Sequence, residues 1–197
     1  MIRLFQNLYT DKNPIRQKEL DYCLTRNKNL FGGQGFIKSK VDRPTFRQLF
    51  EQINSIAEPD DISIIANSDI FFESFFDFSL IKQNEAWCLS RWEYIKGNPV
   101  LYDHADSQDV WAFRGQINEV PDCDFGLGKP GCDNAIAERI QRSGYKVLNP
   151  SKSIKSIHLH TSGIRNYSHA KDPAIEKPYL LIAPHFWNEE PVYRTIP

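Results

Sequence analysis

The chain has 197 residues, 41% hydrophobic and 25% charged, with a net charge of −1. That is enough for one domain with a real core and too little for two comfortable ones. The near balance of charge disfavours wholesale coating of nucleic acid. No apolar run approaches a membrane span and the N-terminus lacks a signal-peptide hydrophobic region, so the cytoplasm is the expected compartment.

In chain order, Met1 to Leu8 is apolar enough for a first strand. Asn13-Pro14 then opens a helix, with Ile15, Leu20, Cys23 and Leu24 as an approximate apolar face. Gly32-Gly33-Gln34-Gly35 reads as a loop; it lacks the lysine of a P-loop and the third glycine of a dinucleotide fingerprint. Arg43-Pro44-Thr45 begins a second helix, whose Phe46, Leu49, Phe50 and Ile53 recur with helical spacing until Pro59-Asp60-Asp61 breaks the run.

Ile62 to Ala66 is β-branched and apolar and ends abruptly in Asn67-Ser68-Asp69. This pattern predicts a buried central strand of a parallel sheet that delivers polar groups at its carboxyl end. In open α/β sheets that end faces the ligand crevice. Asp69 there suits a divalent cation or a phosphate bound through one; capping of a following turn is the competing role. Phe71, Phe72, Phe75, Phe76 and Phe78 form an aromatic cluster that fits core or a docking face.

Ala86 to Ser90 and Asp109 to Phe113 read as further buried strands, the first followed by Arg91-Trp92-Glu93. Asp133 to Ser143 is predicted helical, stopped at Gly144, and Tyr145 to Leu148 is a short strand. Ile154 to His160 alternates, so His158 and His160 share a face. The proline-bearing tail from about 171 to 197 is expected to run irregularly over the surface. Together the elements predict a single α/β domain with a largely parallel sheet.

The candidate chemistry gathers at element ends. Asp133 follows the glycine-rich run Gly126 to Cys132, where backbone and substrate can approach closely; it fits a general base, and equally a first-turn carboxylate favoured by the helix dipole. Asp109 opens a strand and serves either as a ligand contact or as a satisfied strand end. The His158/His160 pair suits metal ligation. Arg16, Arg43, Arg91 and Arg165 are candidates for diphosphate or carboxylate recognition. Trp92, Trp111 and Tyr167 fit either stacking on a ring or core packing. Four cysteines with no CxxC pair disfavour a zinc ribbon or redox dithiol, and no GxSxG, HExxH or Walker motif occurs.

The ordered set Asn67-Ser68-Asp69, then Gly126-Leu-Gly-Lys-Pro-Gly-Cys-Asp133-Asn134, then Ile157-His158-Leu159-His160 resembles the GT-A class of nucleotide-sugar glycosyltransferases. The glycine-rich segment is similar to that of galactosyltransferase-like members. The resemblance implies a single-domain, Rossmann-like GT-A fold with a mostly parallel central sheet flanked by helices. It implies transfer of a sugar, by inversion, from a nucleotide-diphosphate donor to a hydroxyl of a glycan, lipid-linked, protein or modified-base acceptor. Asp69 would bind Mn²⁺ or Mg²⁺ with His158 or His160, and Asp133 would be the catalytic base. Asn67, Arg16, Arg43, Arg91, Asp109, Trp111 and Asn134 would then contact substrate. Two positions depart from the pattern: Asn67 replaces a carboxylate of the DxD-like motif, and Cys132 stands where Glu is common. These departures open a second reading, a catalytically degenerate module of the same fold that binds a sugar or nucleotide.

Overall fold

The computed structural model describes residues 1–39, 43–74, 76–164 and 173–197; Phe75, Arg165 and Tyr167 lie outside the described residues. The chain begins with β1 (Ile2–Gln6), α1 (Pro14–Gly35) and β2 (Phe36–Lys38), followed by α2 (Phe46–Asn54), β3 (Ile62–Ala66) and β4 (Ile70–Phe72). Then come β5 (Glu85–Leu89), β6 (Trp92–Ile95), β7 (Asn98–Leu101), β8 (Val110–Arg114), α3 (Cys132–Arg142), β9 (Lys146–Leu148), β10 (Ser156–His158), β11 (Tyr179–Ile182) and β12 (Tyr193–Ile196).

Local chemistry sets the helix starts. The Asn13 side chain accepts from the Ile15 and Arg16 amides, with Pro14 at the first position. The glycine run is a break within this helical segment rather than a loop after it: Gly32 takes φ +71°, which glycine adopts without a Cβ clash. Thr45 and Gln48 form a reciprocal capping box on α2, whose Phe46, Leu49, Phe50 and Ile53 are all buried. α3 starts after the left-handed Gly131 and carries Asp133 in its first turn and Arg139 and Arg142 in its last, matching the helix dipole.

The strands correct the expected architecture. The main sheet has the order β2-β1-β3-β8-β5-β9. β1 pairs in parallel with β2 and β3, and β5 with β9, but β8 runs antiparallel to both of its neighbours. A second sheet, β4-β10-β6-β7, is mixed, and β11 and β12 form an antiparallel pair. Among the described residues there are three α-helices against twelve strands. This is a mixed α/β fold of several sheets, not the mostly parallel, helix-flanked Rossmann-like sheet that the sequence resemblance implied. The physical reason is that a strand buried on both faces shows the same apolar run whichever way it points.

The main sheet separates two packed layers. On one face α2, α3 and β11 close over Phe5, Phe113 and Trp111 with Phe46, Ile136 and Leu180. On the other, Leu4, Ile64 and Trp87 pack with Phe72 of β4 and Phe78, and α1 reaches this layer through Cys23 against Phe71 and Ile157. The described phenylalanines of the aromatic cluster are therefore core or packed against it. The C-terminal stretch is more ordered than its prolines suggest, since Leu180 and Ile182 of β11 are fully buried and the Ile182 amide donates to the Ala105 carbonyl. No helix among the described residues is long and apolar enough to cross a membrane.

Candidate metal and proton-transfer site

A cleft of about 530 Å³ opens at the carboxyl ends of β1, β3 and β5 and the amino end of β8. Its walls come from both layers. Arg16 of α1, Asp69 of the β3–β4 turn, and His158 and His160 at the end of β10 line it from one side. Arg43 before α2, Lys129 and Asp133 line it from the other. Asn67, Arg91, Gln108 and Asp109 form the seam between them.

The first side is built by strand pairing. β10 lies antiparallel to β4, with His158 opposite Ile70, and the Leu159 amide donates to the Asp69 carbonyl. This brings His158 Nε2 to 3.2 Å and His160 Nδ1 to 3.8 Å from Asp69 Oδ2. One ligand atom from each of the three lies within 4.8 Å of the others, a spacing that could hold a metal ion. On the parallel neighbour β6, Glu93 stands level with His158 and places Oε2 4.0 Å from His158 Nδ1. At that distance Glu93 acts on His158 through charge and not through a hydrogen bond, which His158 Nδ1 lacks among the described residues.

Arg16 neutralises the same carboxylate. It donates to Asp69 Oδ2, and also to Glu19 Oε2 at 3.0 Å and the Leu159 carbonyl at 3.1 Å. Glu19 in turn accepts from the Ser162 amide and the Thr161 and Ser162 hydroxyls. Burial would raise the Asp69 pKa, but His158, His160 and Arg16 outweigh it and hold Asp69 well below the usual carboxylate range. Burial likewise works against a charged His158, yet Asp69 and Glu93 push its pKa up to about 10. Glu93, chiefly through His158, is drawn down to about 2.

Arg91 ties the two sides together. Its guanidinium donates to Glu93 at 2.7 Å, to Asp109 at 3.2 Å and to the Ser107 hydroxyl, and it stacks over Tyr102 at 4.5 Å. Asp109 also accepts from the Asn67 carboxamide at 2.6 Å. Asn67 and Asp109 thus anchor one another across β3 and β8.

Asp133 closes the second side. Its carboxylate accepts from the Gln108 amide at 3.3 Å, and no cation pairs with it among the described residues. Burial, and then the nearby negative charge of Asp109, push its pKa up to about 7. A carboxylate with that value can accept a proton near neutral pH.

The approach to Asp133 depends on Gly131, which takes φ +73° and packs so closely on β11 that an added Cβ would lie 2.7 Å from the Tyr179 hydroxyl oxygen. Gly131→Ala is expected to cost about 2 kcal/mol, roughly 4–8 °C in Tm. Gly128→Ala, at φ +79° but facing open space, should cost less. Thermal melts of the two variants check the difference.

Three candidates do not line the cleft. Trp111 is 1% exposed, in edge-on contact with Phe46 at 4.9 Å within the core. Asn134 is buried with its carboxamide donating to the Asp106 carbonyl. Trp92 packs by Phe71 and Ile157 and donates its indole N–H to the Ser151 carbonyl. The sequence reading missed Glu19, Glu93, Ser107, Gln108 and Lys129. Of these, Glu93 carried a signal, in its place two residues beyond Arg91, and Lys129 another, within the glycine-rich run. No family model, curated protein or solved structure matches the chain.

Proposed function

We propose that the chain transfers a sugar from a nucleotide-diphosphate donor to an acceptor hydroxyl, with inversion. The observation that carries this reading is the meeting, in one cleft, of a metal-competent Asp69/His158/His160 group and a separate carboxylate, Asp133, with a pKa near neutrality. The motif order in the sequence points the same way.

The donor set fits a divalent cation. One carboxylate and two imidazoles, His158 giving up its proton as the ion binds, favour Mn²⁺ over Mg²⁺, which prefers oxygen ligands and retained water. When bound, such an ion supplies neutralisation of the charge that builds on a diphosphate leaving group. The remaining work falls to the chain. Arg16 holds Asp69 in place, and Glu93 lies 4.0 Å from His158 Nδ1 as a nearby negative charge. Arg91 and Asn67 fix Asp109, whose charge keeps Asp133 basic enough to take the proton of an attacking hydroxyl.

Thermal shift with nucleoside diphosphates, with and without Mn²⁺, tests the reading. One diphosphate together with Mn²⁺ is expected to raise Tm by roughly 5–10 °C at about a hundred times its Kd, and neither alone should do so. Release of that diphosphate from its sugar donor separates transfer from mere binding. Absence of any metal-dependent shift across the set would remove the donor from the proposal.

A further inference from the structure

We infer that Arg43 and Lys129 form an anion subsite on the Asp133 side of the cleft, and that it receives a phosphate or carboxylate carried by the acceptor. The word acceptor rests on the transfer reading above; the anion subsite does not.

The observation is a charge balance. Among the described residues, the cleft is lined by four permanent cations, Arg16, Arg43, Arg91 and Lys129. Arg16 is consumed by Asp69 and Glu19, and Arg91 by Glu93 and Asp109. Arg43 and Lys129 have no acidic partner within ion-pair distance among the described residues, and both are exposed. Unpartnered cations are ordinary on an open surface, where each is separately hydrated. These two line a single cleft, from two loops that the backbone joins.

The backbone joins the two loops. Thr45 and Gly126 form a bridge, the Leu127 amide donates to the carbonyl of Pro44 at 3.1 Å, and the Phe46 amide donates to that of Phe125. Arg43 immediately precedes this junction and Lys129 follows it by two residues. The Lys129 stem lies across its own loop, its Cε 3.5 Å from where a Cβ on Gly126 would stand. A planar guanidinium and a point-charge ammonium that line one cleft are donors suited to a multi-oxygen anion.

Position assigns the anion to the acceptor rather than the donor. The metal-competent group arises from the β4/β10 layer, whereas Arg43 and Lys129 arise from the α2/α3 layer, which also carries Asp133. The Cys132 amide donates to the Lys129 carbonyl, so lysine and base belong to one turn. The molecule whose hydroxyl meets Asp133 is therefore the one whose charge meets Lys129.

The test uses the full chain and its Arg43→Gln/Lys129→Gln double variant, first confirmed to melt at the same temperature in plain buffer. Inorganic phosphate and acetate are titrated by NMR into both proteins in the presence of a chelator, with chloride as the ionic-strength control. Nucleoside diphosphate with Mn²⁺ is titrated separately. Phosphate or acetate is expected to bind the wild type at least about tenfold more tightly than the double variant, the loss that a charge-assisted contact represents. Preference for phosphate indicates a phosphorylated acceptor, and preference for acetate a uronate-like one. Diphosphate affinity with Mn²⁺ should change by less than about twofold. A matching loss of diphosphate binding would give the pair to the donor and overturn the inference. So would equal anion binding by the two proteins, or none by the wild type, even with diphosphate binding intact. Anion binding that needs the pair, with no diphosphate binding at all, would keep the subsite and overturn the transfer reading.

Discussion

Replacing Asp133 with asparagine is expected to slow sugar transfer by about 10²–10⁴-fold, the range over which a positioned general base acts, while making the protein more stable above pH 7. Asparagine keeps the size of the side chain but cannot take a proton. Binding of nucleoside diphosphate with Mn²⁺ should survive, because Asp133 stands in the other layer from Asp69, His158 and His160. The stability effect follows from burial. In the fold the Asp133 pKa stands at about 7, above its ordinary value of 3.8, so folding favours the neutral acid. Its contribution is fully present below about pH 4 and is lost as pH rises through about 7, beyond which the buried charge opposes folding. Removing that charge should return about 1–3 kcal/mol at pH 8, roughly 2–12 °C in Tm, and little at pH 4. Wild-type transfer should rise with pH through about 7 as the base deprotonates. Melts of both proteins from about pH 4 to about pH 9, and rates over the same range, check this. Normal transfer by the variant would take Asp133 out of the mechanism, and a pH-independent difference in Tm would contradict its buried titration.

The second large effect concerns Asp69. Asp69→Ala should lose about 3–5 kcal/mol, because it leaves Arg16 buried with its positive charge and only Glu19 to answer it. For a chain of this size that is roughly 6–20 °C in Tm. Asp69→Asn, which keeps an oxygen for Arg16 to donate to, should lose less. Both variants should lose the Mn²⁺-dependent stabilisation by nucleoside diphosphate. The asparagine variant is the informative one, since it stays folded at the assay temperature. If it kept the Mn²⁺ response, Asp69 would not be a ligand. If the alanine variant melted like the wild type, the Arg16–Asp69 pair would have no structural weight.

The sequence revealed the polar cluster better than the sheet around it. Asp69, Asp133 and the histidine pair were legible because each stands where a strongly patterned element starts or stops, and all four line the cleft. α2 was legible for the same reason: Phe46, Leu49, Phe50 and Ile53 at helical spacing after Arg43-Pro44-Thr45 leave few alternatives. Strand direction was not legible. Val110 to Arg114 is buried from both sides and would look the same in a parallel or an antiparallel setting. The β6/β7 hairpin was overlooked although it carried a turn signal, Lys96-Gly97, with φ of +49° and +84°. β11 and β12 were hidden by flanking prolines that stand outside both strands. Trp111 was misplaced because stacking and core packing ask for the same residue, and only the fold shows that it points at Phe46. The partners Glu19 and Glu93 are ordinary charged residues in the sequence; the burial of Glu19 under Thr161 and Ser162, and the place of Glu93 beside His158, come from long-range pairing.

Arg16 gives the site an unusual independence. Because a guanidinium already balances Asp69 from within the chain, folding makes no electrostatic demand on an added ion. Prolonged dialysis against a chelator should therefore leave a native, silent protein, and one metal could be exchanged for another on the same preparation without a refolding step.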